Sequence, residues 1–313
     1  MSFTVTILGS ASAKPTPGRH PSAQIVDLHE QYYLLDAGEG AQQQLFRCGI
    51  NPLRLRAVFL THLHGDHCFG LFPLLSTLGL YGRRTPLPVY APAPFGEILD
   101  CHLRHFDKES LYAVEWHEVD TTRHRLLFEN RSLEVWSIPL RHRIPTCGYL
   151  LREKEPPLNI DKRRIEQYGL SIAQIVAAKR GEDIRLDSGE SLPNASLTFR
   201  PYRARSYAYL TDTCFSAKAA ALASGVDLLY HEATYAAAER KIARQRGHST
   251  TTDAARAALR AGAGRLLIGH FSSRYKHLEP LLEEARTLFA ESYLAEEGVR
   301  FTIEKRPAEP LHP

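Results

Sequence analysis

The sequence lacks the features that mark membrane proteins and disulfide-stabilised proteins. No apolar run approaches the roughly 20 residues that a membrane-spanning helix needs, and the first residues show no basic region followed by a long apolar stretch. The five cysteines are an odd number, are widely spaced and include no Cys-x-x-Cys pair. This pattern argues against a disulfide framework, so we expect reduced thiols in a cytoplasmic protein that does not enter a membrane.

A strong excess of either charge is also missing. The formal net charge is +4 and the isoelectric point is near 8.8. Such a mildly basic balance permits an anionic partner such as nucleic acid but does not require one, because a few surplus cations are commonly solvated surface. The length of 313 residues is enough for one large or two modest domains with a sizeable core.

A cluster of metal-ligand residue types lies near the start of the chain. Residues 55–60 form an apolar run that predicts a buried strand, and residues 69–75 are typical of the start of a helix. Between them stand three histidines and one aspartate within six positions, namely His62, His64, Asp66 and His67. The cluster is therefore expected on a loop that leads from a strand to a helix.

The spacing within this cluster favours two metal ions. Near the end of a strand, alternate side chains leave the same face, so His62 and His64 can bind one ion together. Asp66 and His67 lie beyond the turn at Gly65 and must point elsewhere, which suits a second ion. The alternatives are chance bunching in a chain with 15 histidines, or a closed structural zinc site with Cys68 as its nearest thiol.

Three further candidate ligands occupy equivalent positions, each just after an apolar run. Residues 133–139 precede His142, residues 207–211 precede Asp212, and residues 265–269 precede His270. If these runs are strands of packed sheets, their ends can converge at one edge of the molecule. One such histidine alone would more often be structural, but three such positions beside the first cluster favour a shared site.

Other segments are open to two interpretations. The loop at residues 11–22, with Lys14 and Arg19, is either a stiff connection or a phosphate-positioning loop. Asp36 either accepts a hydrogen bond from a ligand histidine or caps the following helix. His248 either neighbours a helix cap or donates a proton. The polar segment at residues 152–194 is an insertion whose basic and acidic residues nearly balance, and composition alone makes it a solvated excursion.

These motifs, with the His231-Glu232-Ala233-Thr234 tetrapeptide and the His248-Ser249-Thr250 stretch, span nearly the whole chain. Together they resemble the metallo-β-lactamase superfamily and, more narrowly, its ribonuclease Z family of transfer RNA 3′-processing endonucleases. The resemblance implies an α/β fold, a four-layered αβ/βα sandwich, in one domain over residues 1–313. It also implies that residues 152–194 form a flexible arm that binds precursor tRNA, in a homodimer.

The resemblance further implies two zinc ions per subunit and a set of site residues. By the family pattern, His62, His64 and His142 bind the first ion, Asp66, His67 and His270 bind the second, and Asp212 bridges both. Asp66 would also handle the proton of the attacking water, and His248 would protonate the leaving oxygen. Cleavage would leave a 3′-hydroxyl on the tRNA and a 5′-phosphate on the trailer.

Three other functions share parts of this pattern. A general zinc phosphodiesterase acting on small or cyclic diesters would use the same metals without the arm. A β-lactamase or thioester hydrolase would share the metal motif but replace the phosphate-facing residues. A non-catalytic, metal-dependent RNA-binding module is disfavoured because every ligand candidate and His248 are present.

Overall fold

The computed structural model describes residues 2–106 and 111–308. The first group of strands is β1 (Phe3–Gly9), β2 (Ala23–Leu28), β3 (Gln31–Ala37), β4 (Leu55–Phe59), β5 (Leu87–Ala91), β6 (Val114–Glu118), β7 (Leu126–Glu129), β8 (Leu133–Pro139) and β9 (Cys147–Glu153). The second group is β10 (Asn159–Ile160), β11 (Ile184–Arg185), β12 (Ser191–Leu192), β13 (Thr198–Phe199), β14 (Ser206–Leu210), β15 (Leu228–Glu232), β16 (Arg265–Gly269), β17 (Ser292–Leu294) and β18 (Arg300–Thr302).

Helices separate many of these strands. They are α1 (Ala41–Arg47), α2 (Gly65–Cys68), α3 (Leu71–Leu80), α4 (Phe95–Phe106), α5 (Lys162–Tyr168), α6 (Ile172–Lys179), α7 (Asn194–Leu197), α8 (Ala217–Leu222), α9 (Arg240–Arg246), α10 (Thr251–Ala261) and α11 (Glu279–Arg286), with 3₁₀ turns at Pro52–Arg54 and Ala237–Glu239. None of the helices within the described residues is long and apolar enough to cross a membrane.

Two seven-stranded sheets form the centre of the fold. Their strand orders are β18-β1-β2-β3-β4-β5-β6 and β17-β16-β15-β14-β9-β8-β7. In the first sheet β3, β4 and β5 are parallel, and in the second β14, β15 and β16 are parallel. Because the carboxyl ends of parallel strands meet at one edge of a sheet, residues that follow these strands are brought together there.

Three apolar clusters show that the sheets and helices are stacked in layers. One cluster joins buried side chains of the two sheets, such as Phe59 and Tyr149 from the first and second sheet. A second packs the first sheet against α1, α3 and α4, as at Leu74. A third packs the second sheet against α8, α10 and α11, as at Ala258. The order helices, sheet, sheet, helices confirms the predicted αβ/βα sandwich.

The chain divides into two compact units. The first lies within Met1–Arg152 and Ser206–Ile303, and the second within Glu153–Arg205 and Glu304–Pro313. The second unit has its own small apolar cluster, and the paired ends of β10 and β13 lie side by side within it. The buried Arg205 guanidinium donates to both carboxylate oxygens of Glu153, at 2.8 and 2.9 Å.

One local prediction is corrected by the structure. The helix predicted after the metal motif is α3, which begins at Leu71, but a further short helix, α2, begins at Gly65, inside the motif. The His67 N–H donates to the His64 carbonyl, and the Phe69 N–H donates to that of Gly65. Asp66 and His67 therefore sit on one helical turn rather than on an open loop.

Candidate metal centre

All seven predicted ligands come together at the carboxyl edge of the two sheets. Their side chains form one group of His62, His64, His142 and Asp212 and a second group of Asp66, His67 and His270, with the ligand atoms of each group within 4.8 Å of one another. The strand-end positions explain the convergence, since Asp212 follows β14 and His270 follows its second neighbour β16. Asp212 and His270 also adopt left-handed backbone conformations, with φ of 47° and 59°, which residues other than glycine rarely adopt and which cluster at functional sites.

Asp212, a member of the first group, also faces the second. Its Oδ1 is 3.8 Å from His62 Nε2 and 3.7 Å from His142 Nε2. Its Oδ2 is 3.0 Å from His67 Nε2 and 3.3 Å from His270 Nε2. Each carboxylate oxygen therefore faces a different pair of imidazoles, which is the arrangement that a bridging ligand requires.

The free ring nitrogens show that the residues fit a cation. Among the described residues, the buried Nε2 atoms of His67, His142 and His270 have no hydrogen-bond partner. A buried polar atom without a partner is costly unless something else satisfies it. These nitrogens are aimed at the carboxylates of the cluster, where a metal ion would satisfy them.

The opposite ring nitrogens are already engaged. His62 Nδ1 lies 2.9 Å from Thr61 Oγ1, His67 Nδ1 2.8 Å from Asp36 Oδ2, His142 Nδ1 2.9 Å from the Gly247 carbonyl and His270 Nδ1 2.8 Å from Thr234 Oγ1. Such outer partners set the ring orientation and turn Nε2 toward the cluster, where His62 Nε2 and His64 Nδ1 lie 2.9 Å apart. Gly247 is required here, because a Cβ would stand 2.9 Å from His142 Nδ1.

Electrostatics around the cluster favour a positive centre. Burial alone would raise the pKa of the Asp212 carboxyl, but His270, His67 and His62 hold that pKa well below its usual range. Burial would lower the pKa of His67, yet the carboxylates of Asp212, Asp36 and Asp66 raise it well above its ordinary value. Three carboxylates around one buried imidazole favour positive charge at this position, and a bound metal cation would supply that charge.

Asp36 supports the cluster from behind. Its Oδ1 accepts the Thr61 N–H at 2.8 Å, and its Oδ2 accepts the Tyr209 hydroxyl at 3.0 Å as well as the His67 Nδ1–H. The following helix α1 has Gly40 at its N-terminus and no side-chain cap. Of the two interpretations of Asp36, the hydrogen bond to a ligand histidine is the one that the structure shows.

His248 is held at the same edge by Glu232. The His248 Nδ1 lies 2.9 Å from Glu232 Oε1 and 3.9 Å from Asp212 Oδ1. Burial would lower the pKa of His248, but the neighbouring Glu232 carboxylate outweighs it and raises the pKa to about 9. An imidazole in this environment carries a proton at neutral pH.

Sequence reasoning gave no role to Glu232, although it is the centre of a hydrogen-bond network. Besides His248, its carboxylate accepts the backbone N–H of Thr213 at 2.7 Å and of Ser249 at 3.1 Å, and the Thr234 hydroxyl at 2.5 Å. Glu232 ends β15, so the strand-end rule that selects Asp212 and His270 would also have selected it. The Tyr209 hydroxyl, by contrast, comes from inside an apolar strand, and no sequence pattern signals it.

A cavity of about 450 Å³ opens over the cluster. It is lined by Ser12, Ala13, Pro15, Pro21, Glu39, His64, Gly65, Asp66, Phe69, Arg143, Asp212, His248 and His270. The N-terminal loop enters it, because the Ala13 N–H donates to Asp66 Oδ2 at 2.7 Å. A second cavity of about 540 Å³ shares Pro15 with the first and is lined by the cations Lys14, Arg19 and Lys276.

The two sheets, their helices and this cluster define a protein of the metallo-β-lactamase fold. A family described as "Beta-lactamase superfamily domain" matches residues 31–160 and 156–271. The crystal structure of human tRNase Z, short form, superposes with a TM-score of 0.72 at 26% identity, covering 96% of this chain and 99% of that chain.

The curated relatives narrow the family further. Ribonuclease Z of Porphyromonas gingivalis is 43% identical over 301 residues, covering 96% of this chain and 99% of the relative. Ribonuclease Z of Bacteroides thetaiotaomicron is 41% identical over 301 residues, covering 96% of this chain and 95% of the relative. The chain therefore belongs to the ribonuclease Z family, as predicted from its motifs.

The support from Asp36 can be tested by substitution. Asp36→Asn keeps an oxygen for the Thr61 N–H but turns an N–H₂ group toward His67 Nδ1, which then loses its acceptor. We expect metal affinity to fall roughly 10- to 100-fold, as loss of such an outer partner usually costs. Competition with a chelator would measure the affinity, and Asp27→Asn, on the adjacent strand β2, is the matched control. Unchanged affinity in Asp36→Asn would contradict this role.

Proposed function

We propose that the protein is a zinc-dependent endoribonuclease that removes 3′ trailers from precursor tRNA by phosphodiester hydrolysis. Cleavage leaves a 3′-hydroxyl on the tRNA and a 5′-phosphate on the trailer. The observation that carries the proposal is the complete set of seven ligand candidates, Asp212 among them, in a chain that matches ribonuclease Z over nearly its whole length. The mildly basic charge of the chain suits such a substrate.

We assign the ligands according to the two groups of side chains at the site. His62, His64 and His142 would hold one zinc ion, Asp66, His67 and His270 would hold the other, and Asp212 would be shared by both. The unpartnered Nε2 atoms and the carboxylates that face them support this division. When bound, two such ions would polarise the phosphoryl oxygen and stabilise negative charge on the attacking and leaving oxygens.

The chain's own residues would handle the two protons. Asp66, fixed by the Ala13 N–H, is placed to accept the proton of the attacking water as the new P–O bond forms. His248, fixed by Glu232, is placed to give a proton to the 3′ oxygen as the old P–O bond breaks. The two groups enter the same cavity, so one phosphodiester can meet both.

Binding of the RNA would use cations beside the site and in the second unit. Lys14, Arg19 and Lys276 line the cavity that adjoins the cluster, and the buried Arg19 Nη1 has no partner among the described residues. In the second unit the predicted arm at residues 152–194 carries exposed cations on its helices and on β11, namely Lys162, Arg163, Lys179, Arg180 and Arg185. Phosphate contacts of this kind give affinity without sequence preference.

Removal of the arm tests its role. Ile160 and Thr198 are partners in the β10–β13 pair, so replacing residues 161–197 with Asn-Gly closes a two-residue hairpin and keeps the Glu153–Arg205 pair. We expect this variant to hydrolyse a small chromogenic diester like the parent but to lose pre-tRNA cleavage by on the order of 10²-fold, since several phosphate contacts are removed. Both rates are measured on the same preparations.

A second variant shows whether a loss of activity in the shortened chain reflects misfolding or the loss of RNA contacts. Changing the five exposed arm cations to glutamine keeps the helices and should produce a similar, salt-dependent loss on pre-tRNA. If both variants cleave pre-tRNA at the parental rate, the arm does not bind substrate. If the parent itself hydrolyses only small diesters, the protein is a general phosphodiesterase instead.

Metal analysis and product mapping test the core of the proposal. The purified protein should contain close to two zinc ions per chain and should cut one pre-tRNA to a 3′-hydroxyl and a 5′-phosphate. Retention of uncut RNA in a metal-dependent complex would make the protein an RNA-binding module. The homodimer and the cytoplasmic location belong to this proposal through the family resemblance, and sedimentation equilibrium tests the dimer.

A further inference from the structure

Phe69 lies at the candidate metal centre and has no role in the chemistry above. Its side chain is 67% exposed, although a phenyl ring gains most when buried. Exposure of a single aromatic residue is common and by itself means little. Phe69, however, lines the cavity over the cluster, and among the described lining residues it is the only phenylalanine, tyrosine or tryptophan.

The backbone on both sides of Phe69 is fixed. Its own N–H donates to the Gly65 carbonyl at 3.0 Å, at the end of α2. The next N–H, of Gly70, donates to the Ala37 carbonyl at 2.8 Å. Gly70 packs so closely on the first sheet that a Cβ there would stand 2.0 Å from the Gly38 oxygen. The backbone that carries the phenyl ring is therefore held in a fixed position relative to the cluster.

The ring itself rests on the metal motif. A Cβ on Gly65 would lie 2.3, 2.6 and 2.7 Å from three of the Phe69 ring atoms, so the ring covers the backbone between His64 and Asp66. The absence of a side chain at Gly65 makes room for the ring in this position. One side of the ring is thus supported by the motif while much of its surface stays open to the cavity.

A rigid, open aromatic surface beside a phosphodiester site suits an unpaired nucleobase. Building on the proposed function, we propose that Phe69 is the stacking platform for a base next to the cleaved phosphodiester. Every base has a π face, so such a contact tolerates any sequence. It would orient the strand by a contact to the base, while the cations bind phosphates and the metal centre binds the scissile group.

The expected effect is a loss of binding shared by the ground state and the transition state. Phe69→Leu should lower kcat/KM on pre-tRNA roughly 5- to 150-fold, the range that loss of one base–aromatic stack produces. The change should appear mainly in KM. Phe69→Trp, which keeps an aromatic face, should retain most of the parental efficiency. Phe106→Leu, at a 77% exposed phenylalanine outside the cavity, is the matched control.

A double-mutant cycle with modified RNA isolates the contact. The parent and Phe69→Leu are compared on intact pre-tRNA and on two abasic versions, which lack the base just 5′ or just 3′ of the cleaved bond. If Phe69 stacks on one of these bases, removing that base should cost the parent as much as Phe69→Leu does. The two proteins should then cleave that abasic RNA at the same rate.

Three results would overturn the stacking proposal. These are parental cleavage of intact pre-tRNA by Phe69→Leu, a loss that persists undiminished on both abasic RNAs, and a loss of bound metal in Phe69→Leu. The second would indicate that the ring contacts another part of the RNA or a protein partner, and the third that it only supports the motif. A parent that leaves pre-tRNA uncut would refute the proposed function itself, which keeps the two failures distinct.

Discussion

Asp212→Ala should purify with little bound metal, and its rate of pre-tRNA cleavage should fall at least about 10³-fold. This loss is larger than that expected when a single hydrogen-bond donor to the transition state is removed. The physical reason is its position between the two ligand groups. Its two carboxylate oxygens lie 3.0 to 3.8 Å from the Nε2 atoms of His67, His270, His142 and His62. Without it, the Nε2 atoms of His62 and His142 lose the carboxylate oxygen that they face, and both proposed ions lose a ligand. Elemental analysis and single-turnover cleavage measure the two losses together.

Asp227→Ala is the matched control for this experiment. Asp227 is also a buried aspartate of the second sheet, but it precedes β15 and accepts hydrogen bonds from Ser206, at the opposite end of the same strands. Its removal should lower thermal stability while leaving metal content close to two ions per chain. If Asp212→Ala kept both ions and the parental rate, the proposed ligand arrangement would be wrong.

His248→Ala should show the complementary behaviour, with both ions retained and turnover reduced roughly 10²- to 10⁴-fold, the usual contribution of a general acid. His248 Nδ1 is hydrogen-bonded to Glu232 Oε1 at 2.9 Å, which holds the ring at the cavity while His248 is absent from the two main ligand groups. It does occur in a third, overlapping group with Asp212 and His270, so metal content has to be measured alongside the rate.

A change of leaving group separates proton donation from a positioning effect. When the bridging 3′ oxygen of the pre-tRNA is replaced by sulfur, the leaving group is a thiolate. A thiolate does not need a proton from a general acid in order to leave. On this substrate the rates of the parent and His248→Ala should approach each other. An equal deficit on oxygen and sulfur substrates would show that His248 does not act as the acid, and cleavage of ordinary pre-tRNA at the parental rate would remove it from the mechanism.

Local sequence patterns were enough for the strands that precede the ligand candidates and for the choice of those candidates, but they did not predict β7, β9, β17 or β18. The apolar run before His62 is β4, and the runs before Asp212 and His270 are β14 and β16. A buried strand needs apolar side chains along its length, whereas the residue after its end is free to be polar. Polar residues with ligand chemistry therefore stand out at these positions without knowledge of the fold.

Other features depended on contacts between distant segments. The sequence allows two roles for Asp36, and its hydrogen bonds with Thr61, Tyr209 and His67 decide between them. Glu232 holds His248 and also accepts a hydrogen bond from the Thr213 N–H, which lies 19 positions earlier in the chain. The helical turn at Gly65, which directs Asp66 and His67, also differed from the predicted loop.

The sequence by itself determined the set of residues able to bind metal, because these residue types stand at short spacing or just after apolar runs, and its motifs indicated the family by resemblance, which in turn implied the sandwich of two sheets. Only the tertiary structure decided that Nε2 is the unpartnered ring nitrogen of His67, His142 and His270, which Asp212 oxygen faces which imidazoles, and that the Phe69 ring is exposed to the cavity. These properties arise from the order of strands in the sheets, which brings together residues separated by up to about two hundred positions, and no local pattern encodes that order.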